Sequence, residues 1–92
     1  MKVLLAEDNP LLLEHFANMV DWKQYGFDVV LKAEDGKRAW QKFEAYHPEL
    51  VIADIQMPRM TGIELGERIR EKSAETILYF LTSYEEFSYV KS

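Results

Sequence analysis

The sequence predicts an α/β fold in which a parallel, doubly wound sheet is covered by helices on both faces. Short apolar segments alternate along the chain with amphipathic segments of helix length. The apolar segments lack the polar alternation of half-exposed strands, which is typical of strands that are buried on both faces. The order βαβαβαβα, with right-handed crossovers, follows from this alternation.

Local signals mark where these elements begin and end. Lys2–Ala6 is an apolar segment that runs directly into a loop, and Asn9-Pro10 predict the N-cap and first residue of a helix that continues over residues 11–20. Thr61, followed three residues later by Glu64, predicts a capping box that opens another helix. The remaining strands are predicted at residues 27–31, 50–53 and 76–81, and the remaining helices after Asp35-Gly36 and over residues 84–91.

The composition restricts the class of protein. Its 92 residues suffice for one domain, residues 1–92, and 48% hydrophobic with 29% charged residues is ordinary for a folded domain. The absence of cysteine excludes disulfides, thiolate metal sites and a cysteine nucleophile. Apolar segments of a few residues argue against a membrane span, and a net charge of −5 argues against direct binding of nucleic acid. We therefore expect an acidic cytoplasmic protein with no membrane partner.

Reactive side chains follow three of the four predicted strands. Glu7-Asp8 follow the first strand, Asp54 ends the third, and Thr82-Ser83 end the fourth. Ligands of parallel sheets bind at the carboxyl ends of the strands, where the strand order reverses. We therefore expect these carboxylates to lie close together at one edge of the sheet.

Three carboxylates at one edge repel one another unless a cation lies among them. Oxygen ligands alone suit a hard cation such as Mg²⁺, and a carboxylate beside that cation can attack a phosphoryl group. Asp54 is then the candidate nucleophile, and the Thr82 hydroxyl could bind the phosphoryl oxygens. Each residue also has a plainer interpretation: Glu7-Asp8 as acids favoured at the start of a helix, Asp54 as a turn residue, and Thr82 as a structural hydroxyl.

Three segments of the chain resemble the receiver domain of two-component response regulators, the CheY-like family. They are Val3–Pro10, Pro48–Gly62 and Ile77–Ser83, and with the helices between them the resemblance covers essentially all of the chain. It implies a flavodoxin-like fold. The residues of Val20–Phe27 and Thr82–Tyr89 are similar to those of the receivers that precede an AraC-type DNA-binding domain.

The resemblance implies a role for each site residue. Asp54 would accept the phosphoryl group from a phosphohistidine of a sensor histidine kinase, and Thr82 would sense its arrival. Asp8, Asp54 and the backbone carbonyl of Gln56 would bind Mg²⁺ directly, with Glu7 acting on the cation through water. Phosphorylation would then regulate transcription through an output domain, and only that domain would contact DNA.

Three departures from the family pattern accompany the resemblance. The acidic pair is Glu7-Asp8 where two aspartates are common, and Thr61 stands where the family often has aspartate. The family also continues into a fifth strand that opens with a lysine contacting the phosphoryl group. The chain ends at Ser92, before that strand, and Lys91 does not match that lysine. We therefore expect a receiver that is incomplete at its C-terminus and lacks the fifth strand and its helix.

Such a loss would leave apolar surface and a strand edge uncovered. Phe16 and Met19 on the first helix are the candidates for exposed apolar side chains. Exposed apolar patches and free strand edges favour association. We expect a homodimer, an exchange of elements with a second copy, or a fragment of a longer protein.

Three functions remain open from the sequence. The first is a phosphoacceptor receiver, which is not an enzyme with a diffusible substrate. The alternative is an interaction or dimerisation module with the same fold that works without phosphorylation. The third is a Mg²⁺-dependent phosphohydrolase with an aspartyl nucleophile. Such enzymes usually carry a second carboxylate close after the nucleophile, where this chain has Ile55-Gln56.

Overall fold

A parallel four-stranded sheet forms the centre of the molecule. The structure is a computed structural model, which describes residues 1–81. The strands are β1 (Lys2–Ala6), β2 (Val29–Ala33), β3 (Leu50–Asp54) and β4 (Ile77–Leu81). Their order in the sheet is β2-β1-β3-β4, and every neighbouring pair is parallel. The strand order therefore reverses between β1 and β3, at the position where α/β sheets bind their ligands.

Within the described residues, three α-helices cover the sheet: α1 (Pro10–Met19), α2 (Gly36–Tyr46) and α3 (Gly62–Lys72). A short 3₁₀ helix, Trp22–Tyr25, joins α1 to β2. The core on one face of the sheet includes buried residues of α2 and α3, and the smaller core on the other face includes Leu13 of α1. The predicted α/β, doubly wound parallel sheet is confirmed.

The alternation of side chains along β1 explains the two cores. Leu4 and Ala6 belong to the core on the α2 and α3 side, whereas Val3 and Leu5 belong to the core beneath α1. All four are almost fully buried. Both faces of this central parallel strand are covered, which explains why its sequence is a continuous apolar segment. The sequence predicted this burial.

Strand β2 is shifted along the chain from its prediction. The prediction was residues 27–31, and the observed strand is Val29–Ala33. Phe27 belongs to the preceding loop, where its ring packs edge-on against Trp22 at 6.0 Å and its backbone N–H donates to the Trp22 carbonyl at 2.9 Å. The apolar character of Phe27 predicted that it belongs to the strand, but its ring packs in the loop and the strand begins after it.

The apolar face of α1 borders a groove. The groove is a cavity of about 140 Å³. We call it the α1 groove and define it by its lining residues: Leu5, Phe16, Met19, Val20, Trp22, Ile52 and Leu81. Met19 is 60% exposed, whereas Leu13, which the sequence did not single out, is the buried residue of the helix. Of the two side chains expected to be exposed, Met19 is exposed, whereas Phe16 is half-buried against the core beneath α1.

Thr82 and the predicted helix over residues 84–91 lie outside the described residues. Within residues 1–81, each helix is too short or too polar to cross a lipid bilayer.

Candidate functional site

The carboxyl ends of β1 and β3 meet at one edge of the sheet. Ala6 pairs with Ala53, so Glu7 emerges beside Asp54, the last residue of β3. The backbone N–H of Glu7 donates to the Ala33 carbonyl at 3.0 Å, which extends the pairing of β1 to the start of the site. Strand register therefore brings these two carboxylates together.

Asn9 turns the chain away directly after the acidic pair. Its Oδ1 accepts hydrogen bonds from the backbone N–H groups of Leu11 at 2.9 Å and Leu12 at 3.3 Å. This is the predicted N-cap, and Pro10 follows it as the first residue of α1. The cap fixes the start of the helix and holds Glu7-Asp8 at the edge of the sheet.

Glu7, Asp8 and Asp54 each place one carboxylate oxygen within 4.8 Å of the others. Glu7 is buried at 5% exposure, Asp54 is half-buried and Asp8 is exposed. The pKa of Glu7 is raised from 4.5 to about 7, mainly by burial and further by hydrogen bonding to Asp54 and charge repulsion from it. The backbone N–H of Asn9 donates to Glu7 Oε1 at 3.4 Å and opposes this rise in pKa. A buried carboxylate beside two others is costly to ionise.

The loop after β3 forms a second wall beside Asp8. Together with Asp8, residues Gln56, Met57, Pro58 and Thr61 line an open cavity of about 290 Å³. Gln56 is exposed, whereas Met57 is buried and joins the core on the α2 and α3 side. The loop is thus anchored to the core through Met57 and faces the cavity through its polar neighbours.

The donor set fits a hard divalent cation. The cluster offers carboxylate oxygens, and its described residues include neither histidine nor cysteine, so the ligand chemistry is that preferred by Mg²⁺. The closeness of the three carboxylates supports this fit, because a cation among them would offset their mutual repulsion. Glu7, Asp8, Asp54 and the neighbouring Gln56 are the residues that would hold such a cation.

The start of α3 closes against the other side of Asp54. Gly62 N–H donates to the Ile55 carbonyl at 2.8 Å, and a Cβ atom at position 62 would lie 2.2 Å from the Asp54 carbonyl oxygen. Only glycine permits this approach of the helix to the strand end. The sequence analysis did not assign a role to Gly62; a glycine in the first turn of a helix, where alanine has the higher propensity, is the signal that could have indicated it.

Thr61 is the N-cap of α3, which is the N-cap half of the predicted capping box. Thr61 Oγ1 accepts from the Glu64 N–H at 3.1 Å, and its hydroxyl lies 3.3 Å from Glu64 Oε1. Thr61 therefore caps the helix while it also lines the cavity beside Asp8. Helix capping accounts for a threonine at this position.

The structure thus places four of the five predicted site residues at one edge of the sheet. Glu7, Asp8 and Asp54 form one cluster, and Gln56 lines the adjoining cavity with Asp8. The fifth, Thr82, lies outside the described residues; it follows Leu81, whose register partner on β3 is Asp54.

Residues 3–92 match the family described as "Response regulator receiver domain". The chain belongs to this family. The predicted resemblance is confirmed, and the observed strand order β2-β1-β3-β4 with flanking helices is the flavodoxin-like receiver fold.

Solved structures of similar proteins support the assignment of the receiver fold. The receiver domain of AraT, a response regulator from Geobacillus stearothermophilus, is 33% identical, with a TM-score of 0.91 over 98% of this chain and 70% of that chain. A two-component transcriptional regulator AraC from Clostridium phytofermentans is 28% identical, with a TM-score of 0.89 over 100% of this chain and 74% of that one.

Curated relatives include proteins described as transcriptional regulators. A response regulatory protein of Staphylococcus epidermidis is 37% identical over 99% of this chain and 36% of its own length. The transcriptional regulatory protein HptR of Staphylococcus aureus is 34% identical over 99% of this chain and 35% of its own length. The receiver chain therefore spans about a third of the length of these relatives.

Proposed function

We propose that this receiver domain accepts a phosphoryl group on Asp54 from a phosphohistidine of a sensor histidine kinase, with Mg²⁺ bound at the acidic edge of the sheet. The observation that carries the proposal is the convergence of Glu7, Asp8 and Asp54 within 4.8 Å at the switch point of a receiver fold. Membership of the receiver family supports the phosphoacceptor role.

The transfer forms one bond and breaks one. A carboxylate oxygen of Asp54 attacks phosphorus, the P–N bond of the phosphohistidine breaks, and its electron pair remains on the imidazole nitrogen. The product is an acyl phosphate. Asp54 suits this role because it is only half-buried, so a donor can reach its carboxylate, while β3 fixes its backbone.

The neighbouring acids and the loop prepare the site for this transfer. Glu7 and Asp8 supply further oxygen ligands beside Asp54, and Gln56 contributes its backbone carbonyl. When bound, Mg²⁺ neutralises charge on the carboxylates and the phosphoryl oxygens. The Thr82 hydroxyl, next in sequence after the register partner of Asp54, then binds a phosphoryl oxygen and senses phosphorylation.

Intact-mass spectrometry tests the proposal directly. The protein is incubated with Mg²⁺ and a small acyl-phosphate donor, and the addition of one phosphoryl group is expected. Asp54→Asn should show none, because the amide is a poor nucleophile. Hydroxylamine should release the added group as inorganic phosphate and leave a hydroxamate of much smaller mass on Asp54, whereas phosphate esters stay intact.

Asp21→Asn provides the matched control. Asp21 is exposed, its side chain makes no capping hydrogen bond, and it lies outside the acidic cluster. This variant should be phosphorylated as readily as the wild type. Equal phosphorylation of Asp54→Asn, or a hydroxylamine-resistant adduct, would show that Asp54 is not the acceptor.

The biological setting follows from the relatives. One of them, HptR, is described as a transcriptional regulatory protein, and the present chain matches 35% of its length. We infer that phosphorylation here regulates transcription through a DNA-binding output domain, of the AraC type. The receiver acts in the cytoplasm as a switch and does not turn over a diffusible substrate.

A second candidate function is an interaction or dimerisation module that works without phosphorylation. The α1 groove and the exposed side chains of β4 favour it. In the described part of the chain, β4 pairs with β3 alone, and Ile77 and Tyr79 are 58% and 64% exposed. An apolar edge strand beside an apolar groove favours a homodimer or an exchange of elements between two copies.

A further inference from the structure

An ion pair joins the loop after Asp54 to the beginning of α2, and we propose that it positions this loop for Mg²⁺ binding. Arg59 Nη1 lies 3.7 Å from Asp35 Oδ2. Arg59 belongs to the loop that carries Gln56, whereas Asp35 is the N-cap of α2. The inference rests on the proposed function, in which the Gln56 carbonyl is a ligand of the cation.

The backbone of Arg59 adopts a conformation that needs support. Its φ is 71°, in the left-handed region, where a residue with a Cβ atom is disfavoured. The turn is closed by the Met60 N–H, which donates to the Pro58 carbonyl at 2.8 Å. Glycine would be the usual residue at such a position. Arginine there costs conformational energy, and its guanidinium group supplies the compensating contact with Asp35.

Asp35 is well placed to hold that guanidinium group. Its side chain is only 9% exposed, and its Oδ1 accepts a hydrogen bond from the Arg38 N–H at 2.7 Å. The second oxygen, Oδ2, faces two cations, with Arg38 Nε at 3.5 Å and Arg59 Nη1 at 3.7 Å. The N-cap hydrogen bond thus fixes the orientation of Asp35, and the free rotation that weakens most surface ion pairs is reduced.

The backbones of the two segments also meet at this point. Gly36 N–H points to the Pro58 carbonyl at 3.4 Å, and a Cβ atom at position 36 would lie 1.8 Å from the Met60 carbonyl oxygen. The close approach leaves no room for a side chain. The loop is therefore docked on α2 by backbone contact, and the ion pair lies at the same junction.

The opposite side of this loop forms the candidate cation site. Gln56 and Pro58 line the cavity that also contains Asp8. Arg59 follows Pro58 directly, so a change in its backbone or its anchor alters the position of the Gln56 carbonyl. The Asp35–Arg59 ion pair thus acts on the cation through the loop and makes no contact with the cation itself.

Four variants separate the ion pair from other effects. Arg59→Gly removes the guanidinium group and tolerates the positive φ. Asp35→Asn keeps an N-cap oxygen and removes the charge. Arg59→Lys keeps a cation and should restore much of the function. Arg38→Gln is the matched control, because Arg38 contacts the same Asp35 oxygen but belongs to α2 and not to the loop.

Isothermal titration of Mg²⁺ into each protein gives the main measurement. Arg59→Gly and Asp35→Asn should raise the dissociation constant about tenfold, the lower end of the effect of groups that orient metal ligands. Arg38→Gln should change it by less than about twofold. Without Mg²⁺, the backbone amide resonances of Gln56 and Met57 should shift in the first two variants and stay in place in the control.

The phosphorylation assay completes the test. At saturating Mg²⁺, Arg59→Gly should regain the wild-type rate of modification on Asp54, since the ion pair acts on cation affinity. Unchanged Mg²⁺ affinity in both Arg59→Gly and Asp35→Asn, with a wild type that binds Mg²⁺ and is phosphorylated, would overturn this inference alone. A wild type that neither binds Mg²⁺ nor is phosphorylated would overturn the proposed function and this inference together.

Discussion

Glu7 makes the folded state sensitive to pH when no divalent cation is bound. The pKa of its carboxyl rises from 4.5 to about 7 because of burial and the proximity of Asp54. Between those values the folded state binds more protons than the unfolded state, so the free energy of unfolding falls as the pH rises. With a chelator present, we expect a loss of roughly 1–3 kcal/mol between about pH 5 and about pH 8 in urea unfolding.

Glu7→Gln is the matched variant for this prediction. Its amide resembles the protonated carboxyl in shape and cannot ionise, so its stability should vary less with pH over the same window. With chelator at about pH 8, Glu7→Gln should be more stable than the wild type. Added Mg²⁺ should stabilise the wild type more than it stabilises Glu7→Gln. Parallel pH profiles for the two proteins would show that Glu7 is not the titrating group.

The sequence was sufficient to predict the acidic cluster because each member occupies a recognisable local position. Glu7-Asp8 follow one buried strand and Asp54 ends another, and parallel strands place their carboxyl ends at one edge. Asp35 and Arg59 carry no such signal. Their contact joins residues from two loops, and it depends on a left-handed backbone at Arg59 that a Met-Pro-Arg-Met segment does not indicate.

Helix α3 depends on a glycine for its position against the site. Gly62→Ala would place a Cβ atom 2.2 Å from the Asp54 carbonyl oxygen, and this oxygen belongs to the backbone and cannot move without the strand. We expect a loss of about 2–3 kcal/mol in urea unfolding, as for other overpacked positions. Since Asp54 would shift as well, its phosphorylation should slow.

Gly66→Ala on the same helix is the control. Its Cβ atom would meet Phe80 Cζ at 2.7 Å, but that ring is the end of a side chain that is 38% exposed and can turn aside. The gain in helix propensity should partly offset this movement, so stability should remain within about 1 kcal/mol of the wild type. Equal losses in the two variants would mean that the close approach at Gly62 has no special importance.

Strands and helices were predicted well where local signals were complete. The Asn9-Pro10 start of α1 and the Thr61 cap of α3 match the structure, because both depend on hydrogen bonds within a few residues. The bounds of β2 differ because a contact between Phe27 and Trp22 decides them. The burial of Leu13, with Met19 left exposed, depends on how α1 lies on the sheet. The hydrophobic periodicity of a single segment does not specify its contacts with other elements.

The two faces of the sheet differ in how fully they are covered within residues 1–81. Helices α2 and α3 both contribute buried residues to one core, whereas α1 contributes the buried Leu13 to the other, with Phe16 and Ala17 only partly buried against it. The less covered face contains the α1 groove, and β4 borders it through Leu81. Within residues 1–81, the groove and the end of β4 therefore lie next to each other.

Association through β4 is therefore expected to depend on its exposed side chains. In size-exclusion chromatography with light scattering at ~100 µM protein, the wild type should show a mass above that of the monomer. Tyr79→Lys should weaken the association about tenfold or more, because charges on edge strands oppose pairing. Tyr46→Lys is the matched control: Tyr46 is also an exposed tyrosine, at 48%, but it ends α2. A wild type that remains monomeric, or equal effects of the two substitutions, would exclude β4 as the association surface and would remove the support for a dimerisation module.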